Sequence, residues 1–588
     1  MEDQRNFFTA LLLSAIVLIG YWFVFAKPMA EEARRQADLE QAAVAEAIPT
    51  PPVPTAEVAT LPESLRIPIR TPAVEGSFQL RGTRFDDLKL LDYRATLDAD
   101  SPEVTLLYPE AGDSYAAYVF DGWTVRDGGT GADAEWELVS GEALSPATPV
   151  RIRHKGQGFS VDRTVSIDDR YLITLSDTVT NTSGAPVVLE RHGASRQHGL
   201  PEGLTNFFIL QEGPIAVVDG ELFDMKYKKL TKERRASRAG ESGWAGLTDK
   251  YWLAAAIAPT DGVMEAEFDY SNVNNQPVYE ASYTLDPVTL TPGSSIESVG
   301  YVFAGAKERD VLERYESEFG IDQLDLAIDW GLMGILVRPM TTVLNWLGET
   351  IGNYGVAIMV LTLLIKIVLF PLFNKQYASM AKMKKVAPEL TRLREVYGDD
   401  RMKLQQEMMA LYKKEGVNPM AGCLPIIPTI FVFFALYKTV FIDVDLRHEP
   451  FFGWIQDLSA PDPLSILNLF GILPWGPNPI GIAFLAIGPL AILYGITMAM
   501  MQTLSTPGGD PMQRKIFAAM PWVFMFILAP FATGLLVYWV WNNVLSFAQQ
   551  YVITRKHKVD TPFDRLFRKL TGRNRDLPDG VEVIEPGE

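Results

Sequence analysis

The chain has 588 residues and is acidic, with 53 Lys and Arg against 72 Asp and Glu, a formal net charge of −19. The acidity is confined to residues 27 to 330, which hold 28 basic and 50 acidic side chains, net −22, so the remainder is slightly basic. An acidic half repels phosphate backbones and no finger spacing or basic-aromatic patch occurs, which argues against DNA as a partner; the single cysteine, Cys423, excludes a disulfide framework and a thiolate metal cluster.

Phe7 to Phe25 is apolar and long enough to span a hydrocarbon core of about 30 Å. The preceding Met-Glu-Asp-Gln-Arg is not net positive and the only small-x-small candidate, Ala43 to Ala47, lies late. Residues 1–27 therefore read as a retained first transmembrane helix rather than a signal peptide. Residues 28–61, rich in Ala, Glu, Gln and Pro, cannot bury a core and read as a flexible linker.

From 62 to 321 short alternating segments, such as Tyr171 onward and Tyr301-Val-Phe, are separated by Gly, Pro, Asn and Asp turns. That pattern predicts an all-β, sandwich-like domain. No G-x-S-x-G, phosphate loop or G-x-G-x-x-G lies within it, so no active site is read there. The five histidines (His154, His192, His198, His448, His557) match no zinc spacing, and neither a metal nor a cofactor is expected.

Residues 322–350 mix apolar side chains with Asp325, Asp329, Arg338, Asn345 and Glu349, which predicts an amphipathic helix lying at the membrane interface. Five apolar spans then follow at 354–373, 423–442, 480–501, 516–531 and 533–554, six with the first. The span 516–531 has 16 residues, about 24 Å of helix, so local bilayer thinning is expected. Pro530 to Gly534 makes the last two spans a hairpin.

Orientation follows from Lys and Arg in the connecting segments. Residues 374–418 hold ten and the tail from Arg555 eight, whereas 443–478 holds only Arg447. Both termini and the first of these loops are thus cytoplasmic, and the β domain is external. Within that loop Met383, Val386, Leu390, Leu393 and Tyr397 share one helical face, Gly398-Asp399-Asp400 breaks it, and Leu404, Met408, Leu411 and Tyr412 restart it. This predicts a cytoplasmic helical hairpin over 376–416. Its charges (Lys382, Lys384, Lys385, Arg392, Arg394, Asp399, Asp400) suit a solvated face or docking to a partner or anionic lipid.

Lys366 lies inside the span 354–373, where a charge costs about 2.5–3.5 kcal/mol on insertion scales. Thr362 shares its helix face, and Tyr538, Asn542, Ser546 and Gln549 form a polar stripe on the last span, with Thr429 on the span 423–442. None of the five spans carries Asp or Glu, so a transient anionic guest is expected at Lys366. Lys438, near the outer end of its span, reads as an interface anchor. A secondary transporter or channel with an anion site at Lys366 is the rival reading, although no internal repeat supports it. An intramembrane hydrolase lacks the required residues.

Asn353-Tyr-Gly355, Pro371-Leu, Lys375-Gln-Tyr-Ala-Ser-Met-Ala-Lys-Met, Gln406-Glu-Met-Met-Ala-Leu-Tyr-Lys413, Asn418-Pro, Gly422-Cys-Leu-Pro425, Asp510-Pro-Met-Gln513 and Gly534-Leu carry a resemblance. Together with the external domain, they make the chain similar to the YidC/Oxa/Alb family of membrane protein insertases, of the Gram-negative type with a large periplasmic domain. The match is strong over the C-terminal 230 or so residues and looser before them.

The resemblance implies an α-helical polytopic protein of the inner membrane: six transmembrane helices, a five-helix insertase core over 351–555, and an all-β periplasmic supersandwich related to sugar-mutarotase folds, without catalysis. It also implies a hydrophilic groove, open to cytoplasm and lipid, whose cationic residue attracts acidic residues of an incoming chain. That residue is usually arginine; Lys366 stands there. Thr362 and Ser546 would line the groove, and Thr429, Phe433, Tyr538 and Trp539 would contact the client. Implied partners are nascent membrane proteins, the Sec translocon (SecYEG and SecDF), lipids, and ribosomes received by the hairpin and the basic tail 556–588. Pro428 departs from the family's expected proline spacing, so the kink of that span is expected to differ.

Overall fold

The computed structural model describes residues 66–564 apart from 99, 111–113, 127–130, 202–203, 205–209, 260–261, 399, 417–425, 480, 506–510, 558–560 and 562. The expected first span, the linker, Cys423, Asp399 and the tail beyond 564 lie outside the described residues, as do the side chains of Lys384, Lys385 and Pro428. The described residues fall into two units, 509–518 and the remainder.

The described residues of 66–306 form two antiparallel sheets of ten and nine strands. Alternation drives the layering: in Phe159–Ile167 the odd positions Phe159, Val161, Val165 and Ile167 are buried while their neighbours are half-exposed. Such strands bury one face, and the buried sets of both sheets merge into one core.

Alternation also hides a charge. Position 163 of that strand is arginine, fully buried, and it bridges the two sheets. Arg163 donates to Asp177 (2.7 Å) on the neighbouring strand Leu172–Asn181 and to Asp121 (2.6 Å) on Ala116–Val125 of the other sheet. Arg191 pairs with the same Asp121 carboxylate at 3.0 Å, Tyr283 donates to it, and Trp123 Nε1 donates to Asp177 at 2.9 Å. Burial alone raises the Asp121 carboxyl, but Arg191 and Arg163 outweigh it and hold the group below the usual carboxylate range.

Helices α1 (Tyr227–Glu233) and α2 (Arg309–Phe319) belong to the β region, and the expected interfacial helix is shorter than 322–350. Two 3-10 turns, Leu324–Ala327 and Gly331–Met333, precede α3 (Gly334–Ile351). Its face toward the core carries Val337, Leu344 and Leu347, while Ile335 and Trp346 are exposed. Gly352, at φ 71°, ends it, and Asn353 caps α4 (Tyr354–Val368) by accepting from Val356 N at 2.9 Å.

The span 354–373 is broken rather than continuous. α4 stops at Val368, and α5 (Phe370–Tyr397) starts with Pro371 in its first turn, bent 70° from α4. The proline removes an N–H and clashes with the preceding turn, so the helix cannot run straight. The hairpin therefore begins at Phe370, not 376, and pairs α5 with α6 (Arg401–Lys414) through Met383, Val386, Leu390, Met408, Leu411 and Tyr412. Asp400 is the N-cap of α6, accepting from Lys403 N.

Next come α7 (Ile426–Ile442), α8 (Pro489–Ser505), α9 (Pro511–Leu528) and α10 (Thr533–Lys556). The expected span 480–501 is corrected: residues 481–488 carry only the short 3-10 turn Ala483–Leu485, and α8 starts nine residues later than 480. The span expected at 516–531 is an 18-residue helix, about 27 Å, containing Pro521, so the shortfall behind the thinning argument is smaller. Among the described residues no single helix is long and apolar enough to cross a membrane; the bent α4–α5 pair passes on length and composition. Residues of α3, α4, α7, α8 and α10 share one apolar core that includes Leu344, Ile358, Leu436, Leu490 and Trp539.

Lys438 is not an interface anchor. Its ammonium lies 2.8 Å from Asp329, and its side chain is only 9% exposed. Asp329 also accepts from Gln211 N at 2.9 Å, so this pair ties α7 to the segment that joins the β region to α3. Hydropathy reads Lys438 as terminal in its span, but the acceptor comes from a residue more than 100 positions earlier.

Candidate functional site

The α4–α5 elbow creates a recess. Lys366 stands in the last turn of α4, and the bend brings Phe373 of α5 under its ammonium, 4.7 Å from the ring centroid. Across the recess Ser546 of α10 accepts from Lys366 Nζ at 2.5 Å and itself donates to Asn542 O at 2.6 Å. A small recess lies around them, lined by Thr362, Lys366, Thr429, Tyr538 and Asn542 on the polar side and by Ile365, Leu369, Phe373 and Val432 on the apolar side.

Each helix sets its residue for a local reason. Thr362 Oγ1 donates to Ile358 O (2.7 Å), which satisfies the hydroxyl within α4. Trp541 Nε1 donates to Met359 O (3.1 Å) and pins α10 against α4 near Lys366. Buried Asn543 donates to Thr497 of α8 at 3.3 Å, and Gln550 donates to Leu504 O at 2.9 Å. These bonds hold α10 against α8 on the side away from the cleft.

Six expected residues meet in one place: Lys366, Thr362, Thr429, Tyr538 and Asn542 line the cleft, and Ser546 bonds the lysine. Phe433 and Trp539 do not line it; their rings stack at 5.4 Å and 9°, with Trp539 buried in the helical core and Phe433 half-buried against it. The family resemblance implies client contact for both, whereas their aromatic character suits them to packing against the core. The apolar wall was not foreseen. Phe373 lies seven positions after Lys366, a spacing that would flag it, yet only the bend brings its ring to the ammonium.

Among the described residues no carboxylate lies within ion-pair distance of Lys366. Its ammonium keeps donors beyond the one given to Ser546, and the wall opposite is apolar. Such a recess attracts a negative group carried on an otherwise apolar guest.

The hairpin residues are spread out. Lys382 and Arg392 are exposed, with Arg392 3.6 Å from Glu389, and Arg394 is half-buried. Asp400 has a capping role. At the start of the tail Arg555 pairs with Asp564 at 2.8 Å, so part of its charge is already met.

Comparison with known proteins gives one consistent answer. A family model described as 60Kd inner membrane protein matches residues 346–560, and one described as YidC periplasmic domain matches 66–343. A protein of Maricaulis maris (strain MCS10) named membrane protein insertase YidC is 44% identical, covering 98% of this chain and 99% of that protein. Relatives of the same name from Rhizobium meliloti (strain 1021) and Ruegeria sp. (strain TM1040) are 40% and 47% identical, covering 96% and 82% of this chain and 98% and 82% of their own lengths.

Proposed function

Since this chain belongs to the YidC family of membrane protein insertases, we propose that it inserts nascent membrane proteins through the cleft at Lys366. The observation that carries this reading is the Lys366 ammonium, held by Ser546 and Phe373 with no carboxylate beside it among the described residues, in a half-polar, half-apolar recess. An incoming segment places an acidic flank against Lys366, Thr362, Thr429, Tyr538 and Asn542. Its apolar part follows the wall of Ile365, Phe373 and Val432 outward to lipid.

Burial of the client's apolar segment supplies the driving force, roughly 0.8 kcal/mol per CH2, so no nucleotide is required. Lysine presents a compact charge without arginine's bidentate fork, so recognition rests on charge rather than on carboxylate orientation. Phe433 and Trp539 act by holding α7 against α10, not by touching the client.

In this reading the chain has six spans: the N-terminal helix, the bent α4–α5 pair, α7, α8, α9 and α10. The basic hairpin and tail face the cytoplasm, where they receive nascent chains and ribosomes, and residues 62–321 face the periplasm. The Sec translocon is a partner for larger clients. The transporter or channel reading gains nothing from relatives that match end to end under the insertase name.

The test is to deplete the protein and follow a small single-span client by protease protection. A plasmid copy of the native chain should restore insertion and a Lys366→Glu copy should not. Unimpaired insertion under depletion would sink the reading.

A further inference from the structure

The residues between α7 and α8 divide sharply in composition. Residues 443–462 hold Asp443, Asp445, Arg447, His448, Glu449, Asp457 and Asp462, but residues 463–488 contain no ionisable side chain at all. This second half is not a buried strand or helix. It exposes Ile466, Leu469, Phe470, Ile472, Trp475 and Phe484, with Ile472 81% and Phe484 54% accessible. An exposed cluster of this size on a connecting segment marks a binding surface.

The segment is also rigidly built. Ser465 and Asn468 form a reciprocal capping box, Ser465 Oγ donates to Pro477 O (2.7 Å), and Trp475 Nε1 donates to Leu467 O (3.0 Å). Phe470 N and Leu473 N donate to Ser465 O and Asn468 O, and Ile466 N to Ile487 O. Leu469, Phe470 and Gly471 turn through positive φ (48°, 55° and 87°), which aims consecutive apolar side chains outward. Many of its backbone polar groups are thus paired internally, which is what contact with a hydrocarbon phase demands.

The residues that lead into it, 458–462, are held by three attachments. Asp462 accepts from Leu490 N (3.2 Å) at the start of α8, and Thr533 N and Gly534 N at the start of α10 donate to Ala460 O (2.8 Å) and Leu458 O (2.9 Å). The segment is therefore stitched to the same ends of α8 and α10, the ends that face outward in the topology proposed above.

We propose that residues 463–479 and 481–488 form an apolar knuckle immersed in the headgroup and upper acyl region of the outer leaflet, with phospholipid as its occupant. Trp475 provides the amphipathic ring that favours this depth, and Ile472, Phe470 and Leu469 enter the acyl boundary. The absence of any charge over 26 residues suits lipid better than the polar rim of a protein interface. The proposal rests on the membrane topology assigned to α8 and α10, and it explains why hydropathy extends the span back to 480: immersion and crossing look alike in composition.

The test uses the full-length protein with Cys423→Ser, reconstituted in phosphatidylcholine–phosphatidylglycerol vesicles with and without headgroup-proximal doxyl phosphatidylcholine. A polarity-sensitive fluorophore is placed on Ile472→Cys, on Gln456→Cys in the charged half of the same loop, and on Ile496→Cys, exposed on α8. The expected result is doxyl quenching at 472 roughly twofold or more above that at 456, with iodide quenching reversed. Strong iodide and weak doxyl quenching at 472 overturns the proposal; protection from both quenchers means a protein covers the site and overturns it equally. Position 496 separates the two readings, since loss of doxyl quenching there would remove the topology itself.

Discussion

Lys366 Nζ and Ser546 Oγ, 180 positions apart, meet at 2.5 Å and join α4 to α10 across the cleft. The serine is an acceptor for the lysine and a donor to Asn542 O, so it orients the ammonium without neutralising it. A neutral partner leaves the full positive charge for a guest, which a carboxylate in the same place would cancel.

The charge and its orientation are separable. Lys366→Gln should reduce photo-crosslinking of a nascent single-span client from position 429 by about tenfold, and Lys366→Arg should retain most of it. Ser546→Ala removes a hydrogen bond to a charged group, worth about 1.5–3 kcal/mol, and should weaken crosslinking less than Lys366→Gln does. Equal losses in both variants would mean that the serine, rather than the charge, dominates.

Lys438→Met leaves Asp329 without its cation while Asp329 remains 18% exposed. Breaking a buried pair by removing one member costs about 3–5 kcal/mol, and the residual exposure puts this pair at the low end. The detergent-solubilised protein should melt several degrees lower, and Lys438→Met with Asp329→Leu should recover part of that loss. A double variant as unstable as the single ones added together would show that the two residues are not coupled.

The Asp121–Arg163–Asp177–Arg191 cluster predicts a sensitivity to acid. Asp121 has its folded-state pKa lowered despite burial, by Arg191 and Arg163, so its stabilising contribution is present above the unfolded value near 4 and is lost as pH falls through the folded one. Asp121→Ala should cost about 3–5 kcal/mol at neutral pH and flatten the fall of melting temperature below about pH 4. Circular dichroism melts across pH check both parts.

Asp445 behaves in the opposite sense. Burial, with Glu308, Asp310, Glu349 and Glu449 adding to it, pushes its carboxyl up to about 7, and Asn345 donates to it at 2.6 Å. A raised folded-state pKa favours folding at low pH, so the melting temperature should decline as pH rises from about 4 to about 7. Asp445→Asn should remove much of that decline and stabilise the protein at pH 8; an unchanged pH slope would assign the decline to other groups.

The helical hairpin rests on a small apolar seam. Leu390 is 3% exposed against Met408, Leu411 and Tyr412, so Leu390→Ala should cost about 2–5 kcal/mol locally. Faster amide exchange confined to α5 and α6 would report it, with insertion tested in parallel.

What the sequence determined by itself was everything that periodicity and composition encode. Alternation in Phe159–Ile167, the heptad-like seam from Met383 to Tyr412, the basic loop before α7 and the polar face of Thr362 and Lys366 are each set by neighbours within one or two turns, so they were readable. The family resemblance added Phe433 and Trp539, which the structure places outside the cleft.

Only the tertiary structure decided which residues meet across elements. Arg163 occupies a core position in a regular strand, and no local rule reveals that Asp121 and Asp177 will be there to satisfy it. The bend at Leu369 turns Phe373 toward Lys366, the burial of Trp539 removes it from the cleft, and Lys438 finds Asp329 from a distant segment. Hydropathy also cannot separate apolar residues of a membrane-crossing α-helix from apolar residues outside one, so it extends the span over 481–488, which precede α8 and hold only a 3-10 turn. The physical reason is common to all of these. A side chain's cost depends on the partner that folding brings to it, and for long-range partners that information is absent from the local sequence.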